Sequence, residues 1–129
     1  MPTLTIYQKP TCSTCRDAMR RLHDAGIDFD AINYIIEPPS RAVLAGLIAA
    51  MGIAPRDLLR AKEPAYRELG LDDPALTDER IIDAMAAHPS LIQRPIIAYG
   101  DRAVLARPAG RLDEALRAWG LGGPSDPAS

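Results

Sequence analysis

No run in this chain approaches the roughly 20 apolar residues that a bilayer-spanning helix needs. Nor does Met1-Pro2-Thr3-Leu4-Thr5 carry the basic start and apolar stretch of a secretory leader. These two absences argue against a membrane protein and predict a cytoplasmic one. Only two histidines occur, His23 and His88, far apart and with no second cysteine pair, so zinc-ligand spacings are missing and no metal is expected. Lysine is scarce too: Lys9 and Lys62 stand against thirteen arginines. The formal net charge is −2, which lacks the concentrated positive charge of a nucleic-acid surface. Cysteine is limited to Cys12 and Cys15, and where thiols are kept reduced such a pair is more often catalytic than structural.

What is present reads as one domain, since 129 residues can bury a core without disulfide or metal staples. Thr3 to Tyr7 alternates like a strand, Pro10 breaks it, and a helix begins near Ser13 with Cys15, Ala18, Met19 and Leu22 on one face. Phe29 to Ile36 reads as a second strand. Ser40 caps a helix whose stripe is Val43, Leu44, Leu47, Ile48 and Met51, and Gly52 ends it. Short helices follow at Pro55 and over Glu63 to Leu69, and a longer one opens at Thr77 and carries Ile81, Ile82 and Met85. Ile96 to Tyr99 and Ala103 to Ala106 flank Gly100-Asp101 as a hairpin. A last helix presents Leu112, Ala115, Leu116 and Trp119.

The order β-α-β, helical block, β-β-α is a thioredoxin/glutaredoxin-like α/β plan on a mixed four-stranded sheet. A C-x-x-C directly after the first strand and opening a helix fits it. The domain is expected to span 1–119, with the helical block inserted at about 40–90 and a Gly/Pro/Ser-rich disordered tail at 120–129.

A free thiol is mostly protonated at neutral pH, and the thiolate is the nucleophile. Cys12 falls at a helix N-terminus, where unpaired N–H groups and the helix dipole favour an anion. Arg16, four residues on, is expected to add positive charge on the same side. Cys15 belongs to the apolar stripe, so it is the less exposed sulfur and a possible resolving thiol.

The motifs as a set resemble the arsenate reductase (ArsC) family of the glutathione/glutaredoxin-dependent type, whose wider group includes the Spx regulators. They are Ile6-Tyr7, Pro10, Cys12 and Thr14 at the start, then Glu37-Pro38-Pro39, Met51-Gly52 and Leu58-Leu59-Arg60. Glu68-Leu69-Gly70-Leu71, the stretch from His88 to Ile96, and Arg107-Pro108 complete the set, which covers residues 3 to 117. The resemblance implies that Cys12 attacks arsenate while Arg60, Arg94 and Arg107 hold the oxyanion. At about one Arg in ten, three chance matches would occur roughly once in a thousand tries. The chemistry agrees, since arginine's planar fork suits tetrahedral oxyanions and never loses its charge. The resemblance further implies a cis Pro95 beside the sulfur, glutathione as co-substrate, glutaredoxin as partner and no bound cofactor.

Two positions depart from that pattern. Gln8 replaces a histidine four residues before the nucleophile, leaving activation to the helix terminus and arginines, with Gln8 as a hydrogen-bond donor. Cys15 replaces a serine, which permits a Cys12–Cys15 disulfide and reduction by thioredoxin. A general thiol-disulfide oxidoreductase and an Spx-like redox regulator that binds RNA polymerase are the alternatives.

Overall fold

The computed structural model describes residues 3–107 and 110–121. In chain order the elements begin with β1 (Leu4–Gln8), α1 (Ser13–Asp24), β2 (Phe29–Asn33) and α2 (Arg41–Met51). A 3-10 turn at Pro55–Leu58 follows, then α3 (Pro64–Glu68), α4 (Asp78–Ala87) and a second 3-10 turn at Pro89–Leu91. The last are β3 (Ile96–Tyr99), β4 (Arg102–Leu105) and α5 (Gly110–Ala118). The chain divides into two compact units: one joins the segment up to Asn33 to that from Arg94 onward, and the other is Tyr34–Gln93.

The first unit holds the sheet, in the order β2-β1-β3-β4. β1 runs parallel to β2 and antiparallel to β3, and β3 pairs antiparallel with β4, so the sheet is mixed as expected. Leu4 and Ile6 lie two residues apart and project from one side of the pleat. They pack with Ala18 and Leu22 of α1, Ile97 of β3 and Leu112 of α5 in one buried cluster. Each large side chain so buried stabilises the fold by about 1.5–3 kcal/mol. The hairpin turns at Gly100, whose φ of 62° places it in the left-handed region that glycine enters without steric cost.

The Tyr34–Gln93 unit is built on local caps. Ser40 Oγ accepts from Val43 N–H at 3.2 Å at the start of α2, and Thr77 Oγ1 accepts from Arg80 N–H at 3.2 Å at the start of α4. Each cap is worth about 1 kcal/mol. Arg41 of α2 grips Glu79 and Asp83 of α4. The segments around Leu58 and Ile92 lie antiparallel, with Gln93 N–H donating to Leu58 O and Arg60 N–H to Leu91 O, each at 2.8 Å.

Four details differ from the sequence reading. β2 ends at Asn33 rather than Ile36, because its one neighbour β1 ends at Gln8, the partner of Asn33. Tyr34 is buried instead, its hydroxyl donating to Ile92 O at 2.8 Å. Val43 does not belong to the buried stripe of α2, being 46% exposed while Leu44, Leu47 and Ile48 are covered. β4 starts one residue early, since Arg102 pairs with Tyr99 across a two-residue turn. Trp119 lies just past the end of α5 and stacks on Tyr99 with ring centroids 5.9 Å apart. Residues 122–129 of the expected tail, and Pro108 of the Arg107-Pro108 motif, lie outside the described residues. Among the described residues no helix is long and apolar enough to cross a membrane.

Replacing Ile97, which is fully buried against Ile6, with alanine should lower unfolding stability by about 2–5 kcal/mol in urea titration. Val43→Ala should change it by no more than about 0.5 kcal/mol. Equal losses would contradict the assignment of Val43 to the surface.

Candidate active site

The site begins where β1 stops. The chain turns back over Lys9 to Cys12, closed by Cys12 N–H donating to Lys9 O at 2.9 Å. Cys12 has extended backbone angles (φ −89°, ψ 121°) and is the N-cap of α1. Its carbonyl accepts the first helical hydrogen bond, from Arg16 N–H at 3.0 Å. Its Sγ accepts from Cys15 N–H at 3.4 Å, so a sulfur does what a serine or aspartate oxygen usually does at this position. Both cysteines are unbridged.

The two sulfurs are driven apart in acidity. At Cys12, burial is the largest single influence and pushes the thiol up, but several opposing contacts together outweigh it. Hydrogen bonds from the Cys15 thiol and backbone, then the hydrogen bond and charge of Arg94, bring the thiol down to about 7. At Cys15, which is fully covered, burial dominates. A hydrogen bond from the Lys9 backbone partly offsets it, Cys12 adds to it, and the thiol is pushed up to about 12. Near neutral pH about half of Cys12 is therefore thiolate, and that ionised form is held by a thiol at Cys15.

Arg94 stands just before β3, and its peptide bond to Pro95 is cis, as the resemblance implies. The end of β4 lies alongside. Ala106 N–H donates to Pro95 O at 3.0 Å, and Arg107 Nη1 donates to Arg94 O at 2.9 Å. Cys12, Cys15, Arg94 and Arg107 all belong to the unit that carries the sheet. A nucleophilic sulfur, a helix N-terminus and a guanidinium are thus assembled where a small oxyanion could be attacked.

The sequence model of the ArsC family matches residues 7–115. The chain belongs to the ArsC family. It is 42% identical over 107 residues to the arsenate reductase of Rhizobium meliloti (strain 1021), covering 83% of this chain and 76% of that protein. It is also 42% identical over 116 residues to the arsenate reductase of Escherichia coli (strain K12), covering 90% and 82%. The solved arsenate reductase from Vibrio cholerae superposes with a TM-score of 0.83 at 36% identity, over 88% of this chain and 97% of that one. The thioredoxin-like fold of this ArsC protein agrees with that neighbour.

Of the residues that the ArsC resemblance singled out, Arg60 belongs to the Tyr34–Gln93 unit. Its backbone is held by Leu91 O, and its Nε is buried, 3.9 Å from a carboxylate oxygen of Glu63. Arg16 does not supply the cation expected of it. It is exposed and donates to Pro10 O at 3.3 Å, because a residue one turn in from the N-cap reaches back along the loop. Gln8 is 6% exposed at the end of β1, and its Oε1 has no hydrogen-bond partner. It is not among the groups that hydrogen-bond Cys12 and lower its thiol, contrary to the expectation that it would donate there. Sequence reasoning left activation of Cys12 to the helix terminus and the arginines together, and it is Arg94 that hydrogen-bonds the sulfur. The available signal was its place before the cis proline. Among the described residues no group of three or more His, Cys, Asp or Glu could hold a metal ion.

Alkylation of Cys12 by iodoacetamide, followed by peptide mass spectrometry, should rise with pH through a midpoint at about 7. Losing an opposing charge leaves the thiol less acidic, so in Arg94→Ala the midpoint should move upward and the rate at pH 7 should fall. A midpoint that stays at about 7 would contradict the role of Arg94.

Proposed function

We propose that this ArsC protein is an arsenate reductase, an oxidoreductase that draws its electrons from thiols alone. The observation that carries the reading is a thiolate at Cys12, poised at about 7 on the N-terminus of α1 beside Arg94. Arsenate is an anion near neutrality, so an attacking thiolate meets charge repulsion. Arg94, Arg107 and Arg60 are proposed to neutralise and orient its oxygens, and to stabilise the charge that develops as the sulfur–arsenic bond forms. Phosphate fits the same cradle but cannot be reduced by a thiol, so selection lies in the redox step.

Cys12 attacks arsenic, and an oxygen leaves as water. Glutathione then supplies the second thiol. Arsenic takes up two electrons and departs as arsenite, while Cys12 and glutathione are left joined as a mixed disulfide. Glutaredoxin with a second glutathione releases Cys12 and forms glutathione disulfide. The burial of Cys15 and its thiol at about 12 favour glutathione over Cys15 as second nucleophile, since a protonated thiol attacks slowly. The hydrogen bond between the two cysteines supports a second route, in which Cys15 closes an internal disulfide that thioredoxin reduces. Both routes use reductants of the cytoplasm.

NADPH oxidation coupled through glutathione reductase, glutathione and glutaredoxin should become arsenate-dependent when the protein is added. Cys12→Ser should abolish it. Cys15→Ser keeps a hydrogen-bond donor and should retain activity within a few-fold in this system. Turnover only with thioredoxin and only with Cys15 intact would favour the internal disulfide, and no arsenate-dependent turnover with either reductant would sink the assignment.

Lysine at Arg94 or Arg60 keeps the charge but loses the planar fork. Each replacement should lower kcat/KM for arsenate by about 10²–10³-fold. Phosphate should inhibit competitively.

A further inference from the structure

The antiparallel pairing of β3 with β4 ends formally at Ile96 and Leu105, yet the same register continues past both strand ends. The next pair is Pro95 with Ala106, joined by Ala106 N–H to Pro95 O at 3.0 Å. The pair after that is Arg94 with Arg107, and there the contact comes from a side chain, Arg107 Nη1 to Arg94 O at 2.9 Å. Pro95 has no N–H to offer, so the ladder cannot be extended from its side by backbone alone. Arg107 is itself well anchored. Its own N–H donates to Leu105 O at 2.9 Å, and the preceding Ala106 is fully buried. An exposed arginine is thereby fastened to the main chain of the residue whose guanidinium reaches Cys12.

We propose that Arg107 is a positioning residue that holds the Arg94 main chain so that the Arg94 guanidinium faces Cys12 Sγ before any oxyanion arrives. This goes beyond oxyanion binding, the role that Arg107 has in the proposed reaction. It rests on the reading of Cys12 as the reactive sulfur but not on arsenate as its target. Arg107 is not among the groups that act on the Cys12 thiol directly, which fits an influence carried through Arg94.

The test is the pH dependence of Cys12 alkylation by iodoacetamide, with no arsenate or phosphate present, read by peptide mass spectrometry. The wild-type midpoint should lie at about 7. In Arg107→Ala it should rise to about 8, near the lower end of what one opposing charge contributes. Arg107→Lys, which can still donate one hydrogen bond to the Arg94 carbonyl, should restore part of the difference. In an Arg94→Ala background, adding Arg107→Ala should produce no further rise, because the group through which Arg107 acts is gone. A midpoint unchanged in Arg107→Ala would overturn the proposal and leave Arg107 as an oxyanion ligand only. An equal rise in the Arg94→Ala background would also overturn it, by showing a direct charge effect. If wild-type Cys12 shows no enhanced reactivity at pH 7, the reading of the site itself fails, which is a separate outcome.

Discussion

A sulfur at the N-cap of α1 is the constraint on which the rest of the site depends. Four backbone N–H groups at a helix start have no intrahelical partner, and here the group offered to one of them is Cys12 Sγ, in contact with Cys15 N–H. The arrangement ties reactivity to local folding: the bond that caps the helix also stabilises the anion. It further dictates that the residue three positions on lies directly beneath the sulfur. That residue is Cys15, on the buried stripe of α1, so the second thiol is forced into the core by the same geometry that exposes the first to a hydrogen bond.

From this follows the split in acidity between two chemically identical side chains. Burial opposes ionisation at both. Cys12 overcomes it with hydrogen bonds from Cys15 and the Arg94 guanidinium, whereas Cys15 is more deeply covered and lies next to the charge that Cys12 carries. Once one thiol of such a pair ionises, the other becomes its hydrogen-bond donor. A C-x-x-C read only as a potential disulfide overlooks this state, in which the second cysteine serves the first as a proton-bearing partner.

Much of the architecture was legible because it is encoded locally. Ser40 and Thr77 cap their helices and Gly100 turns the hairpin for reasons contained within a few residues. The failures come where a remote neighbour decides. β2 stops at Asn33 because β1 has no further residue to pair with, and nothing within Tyr34-Ile35-Ile36 announces that. Val43 has the right spacing for the stripe of α2 but lies at its edge, and periodicity alone does not measure how wide the covering surface is. Arg16 has the right spacing to approach Cys12, yet a long flexible side chain takes the carbonyl within reach, and Pro10 O is that carbonyl.

Cys12 as the sulfur at a helix start is determined by the sequence by itself, since strand, proline, C-x-x-C and helix periodicity are all contiguous. Membership of the ArsC family was legible there as well, through motifs scattered from Ile6 to Arg107 whose spacing is a property of the chain. Only the tertiary structure decided which cation serves the sulfur. Arg94 lies 82 positions from Cys12 along the chain and reaches it because β3 pairs with β1. The same pairing frame brings the end of β4 alongside Arg94 and lets Arg107 grip its carbonyl. Charge acts through space, and thirteen arginines along a chain do not reveal which of them folding will carry to one thiolate.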